Sequence, residues 1–555
     1  MKQLPDIIAL WRNPVFTRYR RSRLRLKKSI FWCLLVLVIA TFMVTLTYTI
    51  RVNTGSSPQI AARDLWLPLL VLQGVILMAK GTGSVSAGLI QDKIDGTLDY
   101  QRLTPLPPIN NLVGYLFGLP VLEYLMVALT LPHLMFIIVV GNIPLSEVFS
   151  IYLTFFVCVI LYHLIGISVG IVMKRWIIGY LLSIALVFAV NVVLPVLVSQ
   201  FGLRFFQFLS VWPVIGQKLI PLVAPPGSIQ FVQNNPYFTS GAGVPFYNTM
   251  ISAFAFTLLM QGGLILTFAL MALRRWRSET RHSLSKPYAL AFLGVFLVIL
   301  IGNVWPALTG GDLPFAIFGR TDVTQIPEVV AVAFPATYGI VTWLIGLLLF
   351  AIVIPDHHGW LRGLRRARKY GISEGRPWTD DSASLLFMSL FIIAILIGFA
   401  AIYATISGAG LFSFMTDSGP SLWRLPTVLA LTLVYTLLLV QVVQLKPMTL
   451  VVLLLWFVPI LIAIVLGAIM QSAERVHAVI ASISPIATLL LSSAIPLDGA
   501  VPVESDREFQ IAYTGVATGI FFLLVQIAVL FARRQTLERR FKALSNQLVV
   551  SSPAA

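Results

Sequence analysis

The chain has 555 residues, of which 58% are hydrophobic and 11% charged, with a mean hydropathy of +0.90. A soluble domain of that composition would expose very large apolar patches, so the chain reads as an all-α polytopic membrane protein. The net charge of +17 does not point to nucleic acid as a partner, because the bases alternate with the apolar runs as membrane loops do.

Residues 5–28 come first. Ile7, Ile8, Leu10, Trp11, Val15 and Phe16 give them an apolar side, and Arg and Lys crowd the end. This predicts an interfacial helix, held to anionic membrane lipid by about 1 kcal/mol per base. Seven bases stand between Arg18 and Lys28, and no small-residue cleavage site follows the first apolar run. That run is read as a retained anchor rather than a signal peptide.

A membrane span takes roughly 20 apolar residues. Twelve runs qualify: 29–50, 65–88, 111–140, 148–173, 177–199, 248–273, 287–308, 328–354, 383–410, 421–445, 447–470 and 511–532. Lys80 lies inside the second; either it snorkels to the cytoplasmic surface or the span stops at Ala79. Placing the N-terminus inside leaves eight bases outside, Arg51, Arg63, Arg204, Lys218, Arg320, Arg424, Arg475 and Arg507. The remaining Lys and Arg fall inside, clustered at 18–28, 274–286, 362–376 and 533–542. No other alternation separates the charges so well, so a multi-pass protein of the cell membrane with both termini in the cytoplasm is expected. Cys33 and Cys158 sit within apolar runs and read as core residues rather than a disulfide or metal pair.

The third span carries Glu123 about 12 residues in, near the midplane at a rise of about 1.5 Å per residue. His133 follows Pro132 in the same span, and His163 lies in the fourth. Intramembrane ionisable groups are costly. Each of the three reads either as part of a proton relay or polar substrate contact, or as a hydrogen bond between packed spans. Gly114, Gly118, Gly166 and Gly170 read as close-packing positions.

The spans divide into two sixes at the basic stretch 274–286, giving halves 1–280 and 281–545 and a disordered tail at 546–555. Each half has a hydrophilic segment after its second span, at 84–110 and 355–382. Each also has its longest external loop between its fifth and sixth spans, at 200–247 and 471–510. Those loops hold the proline-bounded apolar pieces 212–227 and 484–499, too short to span and predicted to dip back into the membrane as short helices. The pattern argues for a duplicated six-span unit. In the second half, 358–370 reads as another interfacial helix with Trp360, Leu361 and Leu364 inward. Asp380, Asp381 and Ser382 are expected to cap the ninth span.

The segment 84–104 bears most on function. On an ideal helix Ile90, Ile94 and Leu98 share one stripe and Asp92, Asp95, Asp99 and Arg102 another. Gly96 followed by Thr97 is expected to split the helix, Gly96 ending the first piece and Thr97 capping the second. No phosphate-binding G-x-x-x-x-G-K-[ST], H-E-x-x-H, C-x-x-C or G-x-S-x-G occurs, so neither catalysis nor a cofactor is expected of this chain.

Asp92 and Lys93, then Gly96-Thr97-Leu98-Asp99, then Thr104-Pro105-Leu106, then Gly114-Tyr115 resemble the signature of type-2 permeases of ATP-binding-cassette exporters. That family more often has Glu at the positions of Asp92 and Asp99 and Lys at that of Tyr115. The resemblance is specific over about forty residues and diffuse over the first half; the second half lacks the G-T-L-D pattern. It implies a permease worked by a separate cytoplasmic ATPase, with Asp92, Asp95, Gly96, Thr97, Asp99 and Arg102 in the segment that receives the ATPase's closure. The plainer reading of those residues is a solvated loop face. One chain or a pair of chains would suit such a permease.

The competing reading is a secondary transporter of the major facilitator type, which also has twelve spans in two sixes. Gly88, Asp92 and Lys93 match the start of that family's cytoplasmic motif. However, Gly96 falls one residue late, Thr97 and Leu98 replace its basic pair, and the central loop is short.

Overall fold

A computed structural model describes residues 13–103, 106–194, 204–223, 243–277, 282–309, 327–371, 376–408, 424–443, 446–469, 474–494 and 506–550. Among them eleven helices are long and apolar enough to cross a membrane, and a shorter apolar helix over Leu454–Ile469 falls on the remaining expected run. The chain is an all-α polytopic membrane protein. The only sheet among the described residues is a two-stranded hairpin, β1 (Val244–Phe246) and β2 (Thr249–Ile251). The chain forms two compact units, one holding the described helices up to Arg277 and the other those from Lys286 onward.

In the first unit, α1 (Pro14–Arg23) starts on Asn13, whose side chain accepts from the Val15 and Phe16 amides, a cap reinforced by Pro14 in the first turn. Its apolar side does not lie against lipid: Val15, Phe16 and Tyr19 are buried on protein. Residues 1–12, with the rest of the expected apolar side, lie outside the described residues. The first span is α2 (Leu26–Asn53); Phe31, Leu34, Val38, Phe42 and Leu46 on it are exposed, a surface that suits lipid.

The second span is longer than expected. It runs from Pro58 to Ile94 through α3 (Pro58–Asp64), a turn at Leu65, α4 (Trp66–Gly74), a π-helical stretch (Val75–Gly81) and α5 (Thr82–Ile94). Residues 84–94 are therefore its inner end, and only α6 (Thr97–Leu103) is a separate helix. The third span is broken, into α7 (Pro108–Gly118), α8 (Val121–Ala128) and α9 (Leu131–Gly141). Pro120 and Pro132 stand at the two breaks, where each removes an amide donor from the helical ladder.

The long helix α10 (Leu145–Val172) packs against α5, against α11 (Trp176–Phe188) and against α14 (Ala253–Arg277). Gly166 permits the closest approach: a Cβ there would lie 2.8 Å from the Thr82 backbone oxygen. Gly114 plays the same part for α1, where a Cβ would meet Val15 at 2.6 Å. Small residues at such crossings let helices touch where lipid supplies no hydrophobic drive. The apolar piece expected at 212–227 is described as far as Val223. It forms α12 (Trp212–Lys218) and α13 (Ile220–Val223), with Pro213, Val214 and Ile215 buried.

The second unit contains α15 (Lys286–Leu308), α16 (Pro327–Val353), α17 (His357–Lys369), α18 (Leu385–Gly408), α19 (Arg424–Val442), α20 (Lys446–Ile469), α21 (Glu474–Ala481), α22 (Pro485–Ala494) and α23 (Asp506–Val550). The short helix expected at 484–499 is described as far as Ala494, where it forms α22, packed on α16, α19 and α23. In α17, Trp360 and Leu364 are buried as expected, while Leu361 is only half-buried. The ninth span is capped by Ser384 rather than Ser382: the Ser384 carbonyl accepts from Met388 N and its hydroxyl from Phe387 N. The expected disordered tail at 546–555 needs correction only as far as Val550; residues 551–555 lie outside the described residues. α23 continues to Val550, because 533–545 alternates bases with Leu537, Phe541 and Leu544 at helical spacing and Phe541 packs on Trp360.

Candidate functional site

The inner end of the second span is built on a backbone break. α5 closes on Asp95, and Gly96 follows with φ +70°. That left-handed conformation costs an ordinary residue about 1–2 kcal/mol; a Cβ at Gly96 would touch nothing, so the dihedral alone asks for glycine. The Gly96 carbonyl then accepts from Tyr100 N at 3.2 Å. Gly96 therefore both ends α5 and begins α6, and Thr97 is the first residue of α6 rather than its cap.

The structure corrects the expected stripes on both sides of this break. Ile90 and Leu98 are buried, but Ile94 is 59% exposed. The four charged residues do not share one face. Asp95 is exposed and accepts from Gln91 Nε2 at 3.0 Å. Asp99 is exposed and pairs with the mostly buried Arg102 at 2.8 Å. Lys93 donates to the Ile171 carbonyl at 2.9 Å, at the C-terminal end of α10, where a cation is favoured.

Asp92 is buried, 5% exposed, and is spent inside the protein. Arg18 reaches it with both terminal guanidinium nitrogens, Nη2 at 3.1 Å and Nη1 at 3.3 Å. Tyr115 donates to it at 2.6 Å and is also 3.1 Å from Gln101 Oε1. The Tyr19 hydroxyl donates to the same carboxylate. Burial, with the nearby Tyr115 and Asp92, pushes the Tyr19 phenol well above its ordinary value, so it remains a donor. Asn13 Nδ2 adds a bond to the Asn110 carbonyl at 2.6 Å. Thus α1, α5 and α7 are fastened at one carboxylate. A buried charge is tolerated only with such a complete set of partners. Arg18, Tyr19 and Tyr115 could not be assigned to this site from sequence, since two of them lie more than seventy residues from Asp92 along the chain.

A second polar centre surrounds the π-helical stretch. Lys80 does not snorkel. Its ammonium lies 2.6 Å from Glu123 Oε1 and 5.1 Å from the centre of the Trp32 ring, and Ser84 donates to the same oxygen at 3.0 Å. Glu123 is 3% exposed and stands in the first turn of α8, where a carboxylate is favoured by the helix dipole. His163 is fully buried; its Nε2 lies 3.1 Å from the Leu77 carbonyl and its Nδ1 3.3 Å from the Tyr124 hydroxyl. A carbonyl only accepts, so Nε2 carries the hydrogen and Nδ1 takes the Tyr124 proton bond. The structure therefore gathers Glu123 and His163 at one stretch, whose Leu77 and Lys80 they hold. His133 instead pairs with Thr41 of α2 at 2.9 Å.

Beside this stretch lies an apolar groove of about 270 Å³. Val75, Met78 and Ala79 of the first π-helical stretch line it, as do Asn191 and Val192 of a second (Ala189–Val193) and Trp212 and Ile215 of α12. Asn191 is its polar residue and is already bonded to Tyr162 Oη at 2.8 Å and the Val187 carbonyl at 2.9 Å. The groove can hold an alkyl or isoprenoid chain and offers little to a polar solute. π-Helical stretches are rare and gather at functional sites; here two of them border one groove. No family model, no curated protein and no solved structure matches this chain.

Proposed function

We propose that the chain is the membrane permease of an ATP-driven exporter, with ATP hydrolysed by a separate cytoplasmic ATP-binding-cassette ATPase subunit that docks on α6. The observation that carries this reading is the junction at Gly96. A short helix with an exposed outer side, Asp99, Tyr100 and Leu103, preceded by the exposed Asp95, hangs from a span whose last turns are fastened to α1 and α7 through Asp92. Acids mixed with exposed aromatic and aliphatic groups suit a protein partner better than a solvated loop. Force on α6 would pass to α5, and from there to Lys80 and the lining of the groove, since α5 continues the π-helical stretch. The cargo on this reading is an apolar or amphiphilic molecule. Two positions that depart from the family's usual residues, Asp92 and Tyr115, touch each other, which fits one altered contact rather than two unrelated losses.

The test uses ATPase co-purification and transport at matched membrane abundance. Asp95→Lys with Asp99→Lys reverses the outer charge, and close like charges at an interface cost several kcal/mol; co-purification should fall by about tenfold or more. Gly96→Val should keep membrane insertion but lose transport, by opposing the positive φ. If both variants keep wild-type coupling, α6 is a solvated loop and the reading fails.

The orientation belongs to the same proposal, with both termini in the cytoplasm. Single cysteines at Asp95 and Arg539 should react with an impermeant thiol reagent only after permeabilisation, and one at Asp506 should react in intact cells. Labelling at Asp95 in intact cells overturns it.

The buried Lys80–Glu123 pair favours a second reading, a secondary transporter driven by an ion gradient, because intramembrane acid–base pairs serve proton relays. Gradient-driven uptake by the purified chain alone in liposomes would select it over the exporter.

A further inference from the structure

We propose that the second unit binds the phosphate of an anionic phospholipid in a cavity beside α17. This site is independent of the reading of α6. The cavity measures about 320 Å³ and is walled by α17, the segment Arg376–Ser384 and α23.

Its walls are fixed. Asp356 caps α17 by accepting from Gly359 N at 2.7 Å. Lys286, buried at the start of α15, donates to the Ser382 and Pro377 carbonyls and holds the segment in place. Arg534 of α23 donates to the Ala383 carbonyl at 3.2 Å.

The described lining of the cavity is rich in bases. Arg366, Arg376, Arg534 and Lys542 line it against Asp381 and Glu538. Both acids are already engaged, Asp381 by Arg366 at 2.8 Å and Glu538 by Arg534 at 3.1 Å and Lys542 at 2.8 Å. Among the described lining residues the bases outnumber the acids, and Arg376 has no carboxylate partner among the described residues. Guanidinium groups present paired donors that match phosphate oxygens.

The cavity is also amphiphilic and lies at headgroup level. Trp360, Leu364 and Ala383 form an apolar cluster along one wall. α15 and α18 begin, and α16 ends, at the elements that wall the cavity: Lys286 holds its segment, Leu385 follows Ser384, and Val353 precedes α17. Tyr370, which lines the cavity, is 71% exposed, and Trp378, between the lining residues Pro377 and Thr379, is 51% exposed; exposed Tyr and Trp of this kind mark the membrane interface. A basic pocket between spans at that level, with an apolar wall and exposed aromatics, has the chemistry of a phospholipid headgroup site. A free phosphate shares the anionic part of that chemistry but makes no use of the apolar wall or the aromatics.

The experiment is native mass spectrometry of the full chain, delipidated in neutral detergent and titrated with phosphatidylglycerol, with phosphatidylcholine of the same acyl chains, or with inorganic phosphate. Phosphatidylglycerol should bind about tenfold more tightly than phosphatidylcholine, and Arg376→Gln should weaken it about fivefold. Arg366→Gln should weaken it similarly. Arg365→Gln, which removes the same charge from α17 but does not line the cavity, should leave it unchanged. Equal binding of the two lipids overturns the proposal, as does an equal loss in Arg365→Gln and Arg376→Gln. Binding of inorganic phosphate as tight as that of phosphatidylglycerol makes this a free-anion site and overturns the lipid assignment.

Discussion

Lys80→Met should destabilise the first unit by about 3–5 kcal/mol, because it leaves the Glu123 carboxylate buried without its cation. Glu123 is 3% exposed, and beyond Lys80 only the Ser84 hydroxyl bonds it among the described residues. Glu123→Met should cost a similar amount, by stranding the Lys80 ammonium between Met126 and the Trp32 ring. The double variant, with both charges replaced by apolar groups of similar length, should recover most of the loss, since an apolar pair carries no desolvation penalty. Unfolding free energies from titration with sodium dodecyl sulfate in mixed micelles give the cycle directly. Single losses below about 1 kcal/mol would mean that the pair is solvated and worth no more than a surface bridge. The double variant also separates structure from transport. If it is stable and transports, the pair is a fastening between the second and third spans. If it is stable and inactive, the charges themselves take part in transport.

Asp92→Ala should release α1. The substitution removes the acceptor of Arg18, Tyr19 and Tyr115 together, and hydrogen bonds to a charged group contribute about 1.5–3 kcal/mol each, though not additively. α1 has ten residues and is too short to persist as an isolated helix. Amide hydrogen exchange over 14–23 should therefore accelerate about a hundredfold, the equivalent of about 3 kcal/mol of lost local stability. Asp92→Asn keeps an acceptor for the phenols but gives up the charge facing Arg18, and should fall between. Asp99→Ala, at an exposed acid paired only with Arg102 among the described residues, should leave α1 unaffected. Unchanged exchange in Asp92→Ala would show that Val15 and Phe16 hold α1 without the carboxylate.

The amino-acid sequence by itself determined the features that obey local rules. The membrane runs follow from a length of apolar chain, and helices lie on all of the runs that could be compared. The break at Gly96–Thr97 follows from one residue's conformational freedom, and the inward Trp360 and Leu364 of α17 follow from helical period. The close approaches at Gly114 and Gly166 follow from the absence of a side chain.

Only the tertiary structure decided where the charges go. Asp92 stood on an ideal polar stripe with Asp95 and Asp99, yet it is the buried anchor of α1, while they remain outside. Lys80 was placed at the surface, yet it meets Glu123 forty-three residues further along. Ile94 belonged to the apolar stripe, yet as the last residue of α5 it is exposed while Ile90, one turn earlier on the same helix, is buried. Periodicity describes one helix at a time and carries no information about which helix will face it. A charge in a membrane protein goes wherever a partner can offset the cost of leaving water, and that partner is chosen by the packing of spans that are distant in the sequence.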